Sequence, residues 1–392
     1  MNKKSVRDLD VQGERVLVRV DFNVPVRDGR VTDDTRIRRA LPTIRYLLSE
    51  GARPILISHL GRPKGEPDPK YAMDPVARHL GELLNQQVMK LDAAVGPEVE
   101  EELEKWDGRG VVLLENSRFY AGETKNDSEL AQQLAALADL YVDDAFGAAH
   151  RAHATTVGVA ELLPAAAGLL MEEEIDYLDT VLRDPERPFV AILGGAKVSD
   201  KLGVIESLLG KADRLLIGGA MCFTFFKAKG YEVGNSLVEN DYLEEAKRLM
   251  DEAGDRLVLP VDVVVADRME EGTESRAVEV DRMPSGMMGL DISLGTVGLF
   301  REYISGASTI FWNGPMGVFE IDAFAAGTEG VAKAVAASDA TSVIGGGDSV
   351  AAVRKLGLED EMGFISTGGG ASLEYIEGKE LPGVAVLPDK EG

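Results

Sequence analysis

Two α/β domains, each a doubly wound parallel sheet, are predicted by three features of the sequence. Short runs of Val, Ile and Leu alternate with segments of helical period, the pattern of βαβ units whose sheet is covered on both faces. The 392 residues exceed what one hydrophobic core ordinarily supports, so two domains of roughly 150 to 200 residues are expected. The residues just after the apolar runs also change character: Arg and His recur there through residue 151, and Gly after residue 190. Side chains at the carboxyl ends of parallel strands converge on one crevice, so one half suits a small anion and the other a nucleotide.

In the first half, strands are expected near 15–20, 53–58, 111–114 and 139–142, separated by helices at 34–49, 74–85 and 128–138. Asp74 before Pro75, and Asp127-Ser128 before Glu129, carry the chemistry of helix starts. In the second half, strands near 189–193, 214–217, 257–259, 309–312, 341–344 and 363–366 repeat the plan. Two Rossmann-like domains result. Between Pro164 and Pro188, the stretch from Met171 to Leu178 reads as an amphipathic connecting helix, a hinge that divides the chain into domains at 1–170 and 171–376.

Composition bounds the function. A formal net charge of -25 argues against a general nucleic-acid binder, which needs a net basic face, but not against small anionic ligands. The longest apolar stretches fall far short of the ~20 residues that span a bilayer, so no membrane segment is expected. Lys3 and Lys4 have no apolar run behind them, which argues against a secretory signal, and a cytoplasmic protein is the simple expectation. The single cysteine, Cys222, lies in the apolar segment from Met221 to Phe226 and is expected to be buried and inert. His150 and His153 stand three apart, but four histidines and one cysteine give no zinc site. Arg19, inside the first strand, is expected to be a structural ion-pair partner, His79 an exposed helix residue, and Trp312 part of the core.

The glycine turns carry the chemistry of the second half. Gly194-Gly195-Ala196-Lys197-Val198-Ser199-Asp200-Lys201 follows one strand and opens the helical pattern Leu202 to Leu209. Glycines let backbone amides approach a phosphate, and a helix N-terminus favours its charge. Lys197 and Lys201, four apart, share a face if the helix starts early; the plain alternative is a tight turn with solvated lysines. A second turn, Gly345-Gly346-Gly347-Asp348-Ser349, places Asp348 either as a helix N-cap or as the carboxylate for a magnesium ion on a nucleotide phosphate. Neither Gly-x-Gly-x-x-Gly nor Gly-x-x-x-x-Gly-Lys-Ser/Thr occurs, which disfavours a dinucleotide dehydrogenase and a P-loop enzyme.

Read in order, these segments resemble the phosphoglycerate kinases. The resemblance begins in Val16-Leu17-Val18-Arg19-Val20-Asp21-Phe22-Asn23-Val24-Pro25 and continues through Ser58-His59-Leu60-Gly61-Arg62-Pro63 and Leu114-Glu115-Asn116-Ser117-Arg118-Phe119. It runs on through Asp144-Ala145-Phe146-Gly147, His150-Arg151-Ala152-His153, the Gly194 to Lys201 turn, Phe311 to Glu320 and Gly345 to Asp348, covering residues 5 to 387.

The resemblance implies reversible phosphoryl transfer between 1,3-bisphosphoglycerate and ADP, giving 3-phosphoglycerate and MgATP, by direct in-line attack after hinge closure. It implies a 3-phosphoglycerate set of Asp21, Asn23, Arg36, His59, Arg62, Arg118 and Arg151, with Asp21 and Asn23 for the hydroxyl and carboxylate end. The implied nucleotide set is Lys201, Gly289, Asn313, Glu320, Gly345, Gly346, Gly347, Asp348 and Ser349, with Glu320 on the ribose and Asp348 on Mg2+. Arg36 and Lys197 are the implied catalytic pair, meeting the transferring phosphoryl group from opposite domains and neutralising its charge. The family also implies a monomer, and a tail from about 377 to 392 that returns to the first domain.

The chain departs from the family pattern after Gly289-Leu290-Asp291-Ile292, where Ser293-Leu294-Gly295-Thr296 stands in place of Gly-Pro-Lys, so the loop near the adenine is expected to differ in shape. Asp143 stands where the family often has Asn. Two other classes share parts of the pattern. Another two-domain small-molecule kinase or ligase would keep the glycine turns without needing Asp21, Asn23 and the five basic residues together. A non-catalytic binding protein for an anion or nucleotide would not need Lys197 or Asp348.

Overall fold

Strand β1 (Arg15–Arg19) is buried from Val16 onward, as a strand with neighbours on both sides and helices on both faces must be. The structure, a computed structural model, describes residues 2–390. Among these, residues up to Asp176 and from Glu380 form one unit and Tyr177–Lys379 the other.

The first unit contains, after β1, the hairpin β2 (Val26–Arg27) and β3 (Arg30–Val31), then β4 (Arg53–Ile57), β5 (Val88–Lys90), β6 (Val111–Leu113), β7 (Leu140–Asp143) and β8 (Ala165–Ala167). Its helices are α1 (Thr35–Ser49), α2 (Asp74–Leu84), α3 (Pro97–Lys105) and α4 (Ser128–Ala135), and α5 (Leu169–Leu182) carries the chain into the second unit. Six strands form one sheet in the order β5-β6-β4-β1-β7-β8, every pair parallel. Pro75 occupies the first turn of α2, and the Asp127 side chain accepts from Leu130 N at the start of α4. Val18, Phe22, Ile44, Leu56 and Leu80 pack into one core beneath α1 and α2. Burying each such side chain contributes about 1.5–3 kcal/mol.

The second unit contains β9 (Phe189–Leu193), β10 (Arg214–Ile217), β11 (Leu257–Val258), β12 (Asp262–Ala266), β13 (Ser275–Glu279), β14 (Met288–Ile292), β15 (Thr309–Asn313), β16 (Thr341–Gly345) and β17 (Phe364–Ile365). Its helices are α6 (Leu202–Leu209), α7 (Cys222–Ala228), α8 (Leu243–Ala253), α9 (Leu294–Ser305), α10 (Ala326–Ala336), α11 (Gly347–Lys355) and α12 (Gly370–Ile376). The main sheet runs β11-β10-β9-β15-β16-β17, which in order of appearance is the doubly wound order of dinucleotide-binding folds. Trp312 is fully buried with Ile192, Phe300 and Ile310, as expected. Cys222 is buried and free, and burial pushes its thiol far above the ordinary range. The last described residues return to the first unit through α13 (Pro382–Ala385): Gly383 N donates to Ala149 O at 2.8 Å, and Lys4 N to Pro388 O at 2.8 Å.

Each unit has a switch point where neighbouring strands connect in opposite directions, at β1/β7 in the first and β9/β15 in the second. Register aligns the strand ends there. Arg19 stands level with Ile57 on one side and Asp143 on the other; Asn313 stands level with Leu193 and Gly345. The loops after three strands therefore emerge side by side in each unit, the arrangement that makes a ligand crevice.

Some expectations fail. The antiparallel sheet β13-β12-β14 lies outside the expected plan: β13 is almost wholly exposed, and Gly289 and Asp291 interrupt β14, so neither shows clean alternation. His79 is not simply exposed; its Nε2 lies 2.8 Å from Asp34 Oδ2.

Candidate functional site

In the first unit the site grows from the end of β1. Val20 N donates to Ile57 O at 3.0 Å and Phe22 N to Ser58 Oγ at 2.8 Å, which ties the loop after β1 to the loop after β4. Asp21 is nearly buried, and its Oδ1 accepts from Asn23 N at 3.1 Å, fixing the turn between the two. Arg36, from the first turn of α1, brings Nη1 to within 3.1 Å of Asp21 Oδ2 and donates to Asn23 O at 3.2 Å. Asn23 Oδ1 in turn accepts from Gly61 N at 2.8 Å. Gly61 has φ +64, and a Cβ there would stand 2.2 Å from the Tyr71 ring, so this crossing requires glycine.

Arg118 follows β6 and donates Nη1 to Gly61 O at 2.7 Å. Arg118 stays in place because Asn116 pins both strand-end loops: its Oδ1 accepts from Leu60 N and Arg118 N, and its Nδ2 donates to Leu60 O and Tyr71 O. Burial and the charges of Arg151 and Arg19 lower the proton affinity of Arg118. His59 lies nearly buried with Nδ1 3.0 Å from Arg19 Nη2; burial, then the charges of Arg19 and Arg118, hold its pKa well below 6.5. The mutual repulsion of these cations is relieved by an anion, and an acidic protein with one such basic crevice focuses anions there.

The structure thus joins Asp21, Asn23 and Arg36 through direct contacts, ties Arg118 to Asn23 through Gly61, brings His59 within the field of the arginines, and sets Arg151 where its charge acts on Arg118. Arg62 and Arg151 are exposed. Arg19 is structural, as expected, but through hydrogen bonds to Thr155 Oγ1, Val20 O and His59 rather than an ion pair. Asn116 was overlooked as a positioning residue; its only signal was an amide following a strand.

In the second unit a cleft of about 550 Å³ lies over the ends of β9, β10 and β15, closed on one side by the antiparallel sheet. That volume falls in the range of small-molecule sites. Phe223, Leu237, Gly289, Glu320, Asp348 and Gly195 are among its lining residues. Gly289 is therefore placed on the cleft. The departure at 293–296 leaves it there: Asp262 accepts from Gly295 N and Thr296 N and so starts α9 without the family's proline, leaving Leu294 exposed.

Lys201 and Asn313 stand beside the cleft and not on its lining, with Lys201 Nζ donating to Asn313 Oδ1. Burial lowers the Lys201 pKa to about 8, and the nearby Asp200 and Asp348 oppose this. Asn313 Nδ2 is buried without a partner and lies against Gly346. Ser349 Oγ accepts from Gly314 N at 2.6 Å, joining the Gly345–Gly347 turn to the loop after β15. The helix α6 begins at Leu202, so Lys201 occupies its cap position and Lys197 lies outside it, exposed. The early-starting helix is not found. Asp348 is not the N-cap either; Gly346 holds that position, and Asp348 is exposed in the first turn of α11 on the cleft wall.

Among the described residues no group of three His, Cys, Asp or Glu could hold a metal ion. A single exposed carboxylate beside glycine amides fits magnesium carried in on nucleotide phosphates, which keeps mostly water and phosphate oxygens, and does not fit a resident metal cage. Asp291, also overlooked, lines the cleft; burial raises its pKa to about 7, and it accepts from Gly327 N at 2.6 Å, fastening β14 to α10.

A sequence profile of the family described as phosphoglycerate kinase matches residues 6–379. A phosphoglycerate kinase of Rubrobacter xylanophilus is 76% identical over 391 residues, covering 100% of both chains. One from Thermosipho africanus is 56% identical over 398 residues, covering 100% of this chain and 99% of its own. Among solved structures, phosphoglycerate kinase from Coxiella burnetii superposes with a TM-score of 0.88 at 42% identity, and that from Pyrococcus horikoshii with 0.86 at 36%, each covering 98% of both chains. With two doubly wound units, an anion crevice in one and a nucleotide-sized cleft in the other, the chain belongs to the phosphoglycerate kinase family and is a phosphotransferase.

Proposed function

We propose that the chain transfers a phosphoryl group reversibly between 1,3-bisphosphoglycerate and ADP, with 3-phosphoglycerate held in the first unit and the nucleotide in the second. The observation that carries the assignment is the meeting of Arg36, Asp21 and Asn23 at one switch point, with Arg118 tied to them through Gly61 and His59 within the field of the arginines.

In the direction of ATP use, a carboxylate oxygen of 3-phosphoglycerate attacks the γ-phosphorus, the bond to the bridging oxygen breaks, and the electron pair leaves on ADP. No proton transfer and no covalent enzyme intermediate are needed. Asp21 accepts the substrate hydroxyl, Asn23 orients the carboxylate end, and His59, Arg62, Arg118 and Arg151 bind the phosphate, where guanidinium forks match its oxygens. Lys201, Asn313 and the turn Gly345 to Ser349 hold the nucleotide phosphates, Gly289 borders the base, and Glu320 takes the ribose. Asp348 holds Mg2+, which neutralises phosphate charge when bound. Arg36 and Lys197 neutralise the equatorial oxygens of the transferring group. Closure about α5 completes the site only when both ligands are present, which protects the phosphoryl group from water.

The reading includes a monomer acting in the cytoplasm; no helix among the described residues is long and apolar enough to cross a membrane. Its test is 1,3-bisphosphoglycerate formation from 3-phosphoglycerate and MgATP, followed by coupled reduction, in the wild type and in Lys197→Ala. Activity in the former, lost in the latter with nucleotide still bound, supports the assignment. A wild type that binds both ligands and transfers nothing overturns it.

A further inference from the structure

Arg19 is fully buried at the end of β1, two residues before Asp21 of the anion crevice. A cation is costly in such a place unless every donor is used and its charge is answered. Its Nε donates to Thr155 Oγ1 at 2.8 Å, and the Thr155 hydroxyl donates to Glu123 Oε1 at 2.6 Å. Glu123 is fully buried and also accepts from Thr155 N at 3.1 Å. Against its burial, the His153 ring, with Nδ1 3.7 Å from Oε1, and the charge of Arg19 hold Glu123 at about 2, so it is ionised and answers Arg19 across a single hydroxyl. The third contact faces the site: Arg19 Nη2 lies 3.0 Å from His59 Nδ1.

A guanidinium has five donors and no acceptor, and does not lose its proton. Nδ1 of His59 must therefore accept, which puts its lone pair on that nitrogen and the ring proton on Nε2. A protonated ring would oppose N–H to N–H at 3.0 Å. We propose that Arg19 is a positioning residue that locks His59 in the neutral Nε2–H tautomer, so that the ring offers the crevice a fixed, uncharged donor rather than a titrating charge. The groups that face the ring electrostatically are Arg19, Arg118 and Arg36, which disfavour its protonation, and Glu123, which opposes them less strongly. Binding strength toward a phosphate then follows the arginines and the substrate's own ionisation, with no histidine titration superimposed.

The tautomer itself is independent of the proposed reaction; its consequence for substrate rests on that reading. The test is long-range nitrogen–proton NMR of the ligand-free full chain labelled at histidine, with His59 assigned by the signal lost in His59→Gln. Only four histidines contribute. The expected wild-type pattern is Nε2–H alone, unchanged from pH 8 to pH 5.5. An Nδ1–H pattern, or titration near 6.5, overturns the proposal whether or not the Arg19 variants fold. Arg19→Gln supplies an acceptor to the ring; titration should return there, and Arg19→Lys, which only donates, should keep Nε2–H. An unchanged His59 spectrum in folded Arg19→Gln overturns the role of Arg19.

The ratio of the Arg19→Gln to wild-type KM for 3-phosphoglycerate should fall by about fivefold or more between pH 8 and pH 6, the effect of one added charge about 4 Å from an anion. A pH-independent ratio with the tautomer released overturns the link to substrate. Wild type without transferase activity would instead sink the proposed function and leave the tautomer result standing.

Discussion

Arg36 and Asp21 form an ion pair with Nη1 3.1 Å from Oδ2, and the same nitrogen donates to the backbone of Asn23. The arginine expected to meet the transferring phosphoryl group is therefore aimed in advance by the carboxylate expected to meet the substrate hydroxyl. Its positioning cost is met by the fold before any ligand arrives.

Arg36→Ala should lower kcat by about 10²–10³, in the range measured for removal of one preorganised charge-stabilising donor, and leave MgATP affinity unchanged. Coupled kinetics and calorimetric titration of the nucleotide check the two halves of this statement. An equal loss in nucleotide affinity would mean that Arg36 acts on ground-state binding.

Lys201 gives the nucleotide site a pH dependence. Burial holds its pKa at about 8 in the ligand-free protein, so the cation is present below that pH and is lost as pH rises through it. MgADP affinity should weaken between pH 7 and pH 9, by up to about tenfold per pH unit once above 8. Lys201→Arg, which does not titrate in this range, should flatten the dependence.

Asp144 gives the first unit a pH dependence of stability. Its Oδ1 accepts from Leu170 N at 2.9 Å at the start of α5, its Oδ2 is buried without a partner, and burial raises its pKa to about 8. A carboxyl raised in the native state keeps a proton that the unfolded chain releases above about pH 4, so stability declines as pH climbs from there toward 8. Asp144→Asn removes that decline. Its Tm relative to wild type should rise steadily between pH 5 and pH 8, each pH unit contributing up to ~1.4 kcal/mol and each kcal/mol about 2–4 °C in a large domain. Thermal melts at the two pH values decide it; a constant difference would mean that Asp144 does not titrate.

Much of this was legible in the sequence because strand periodicity places its own functional residues. Once Val16 to Val20 is a buried parallel strand, Asp21 and Asn23 must emerge at its carboxyl end, and likewise His59 after β4 and Arg118 after β6. The same logic places Asn313 and Gly345 level with one another. What stayed hidden depends on contacts between distant segments. The exposed strand β13 exists because β12 pairs with it, and Arg19 finds Thr155 and His59 only after folding. Lys201 reads in sequence as a nucleotide-binding residue or, in the plain alternative, as a solvated turn lysine, and its contact with Asn313 and its burial emerge only in the fold.

Separate titration of the two ligands against two variants tests the two-site account most directly. Arg118→Ala should weaken 3-phosphoglycerate at least about tenfold and leave MgADP unchanged, as expected for a charged hydrogen bond. In Gly289→Ala the new Cβ would stand 1.9 Å from Phe223 Cζ, so the ring must shift into the cleft wall; MgADP should weaken and 3-phosphoglycerate should not. That double dissociation is the predicted result. Arg118→Ala weakening both ligands alike, or leaving 3-phosphoglycerate binding intact, would contradict an anion site confined to the first unit.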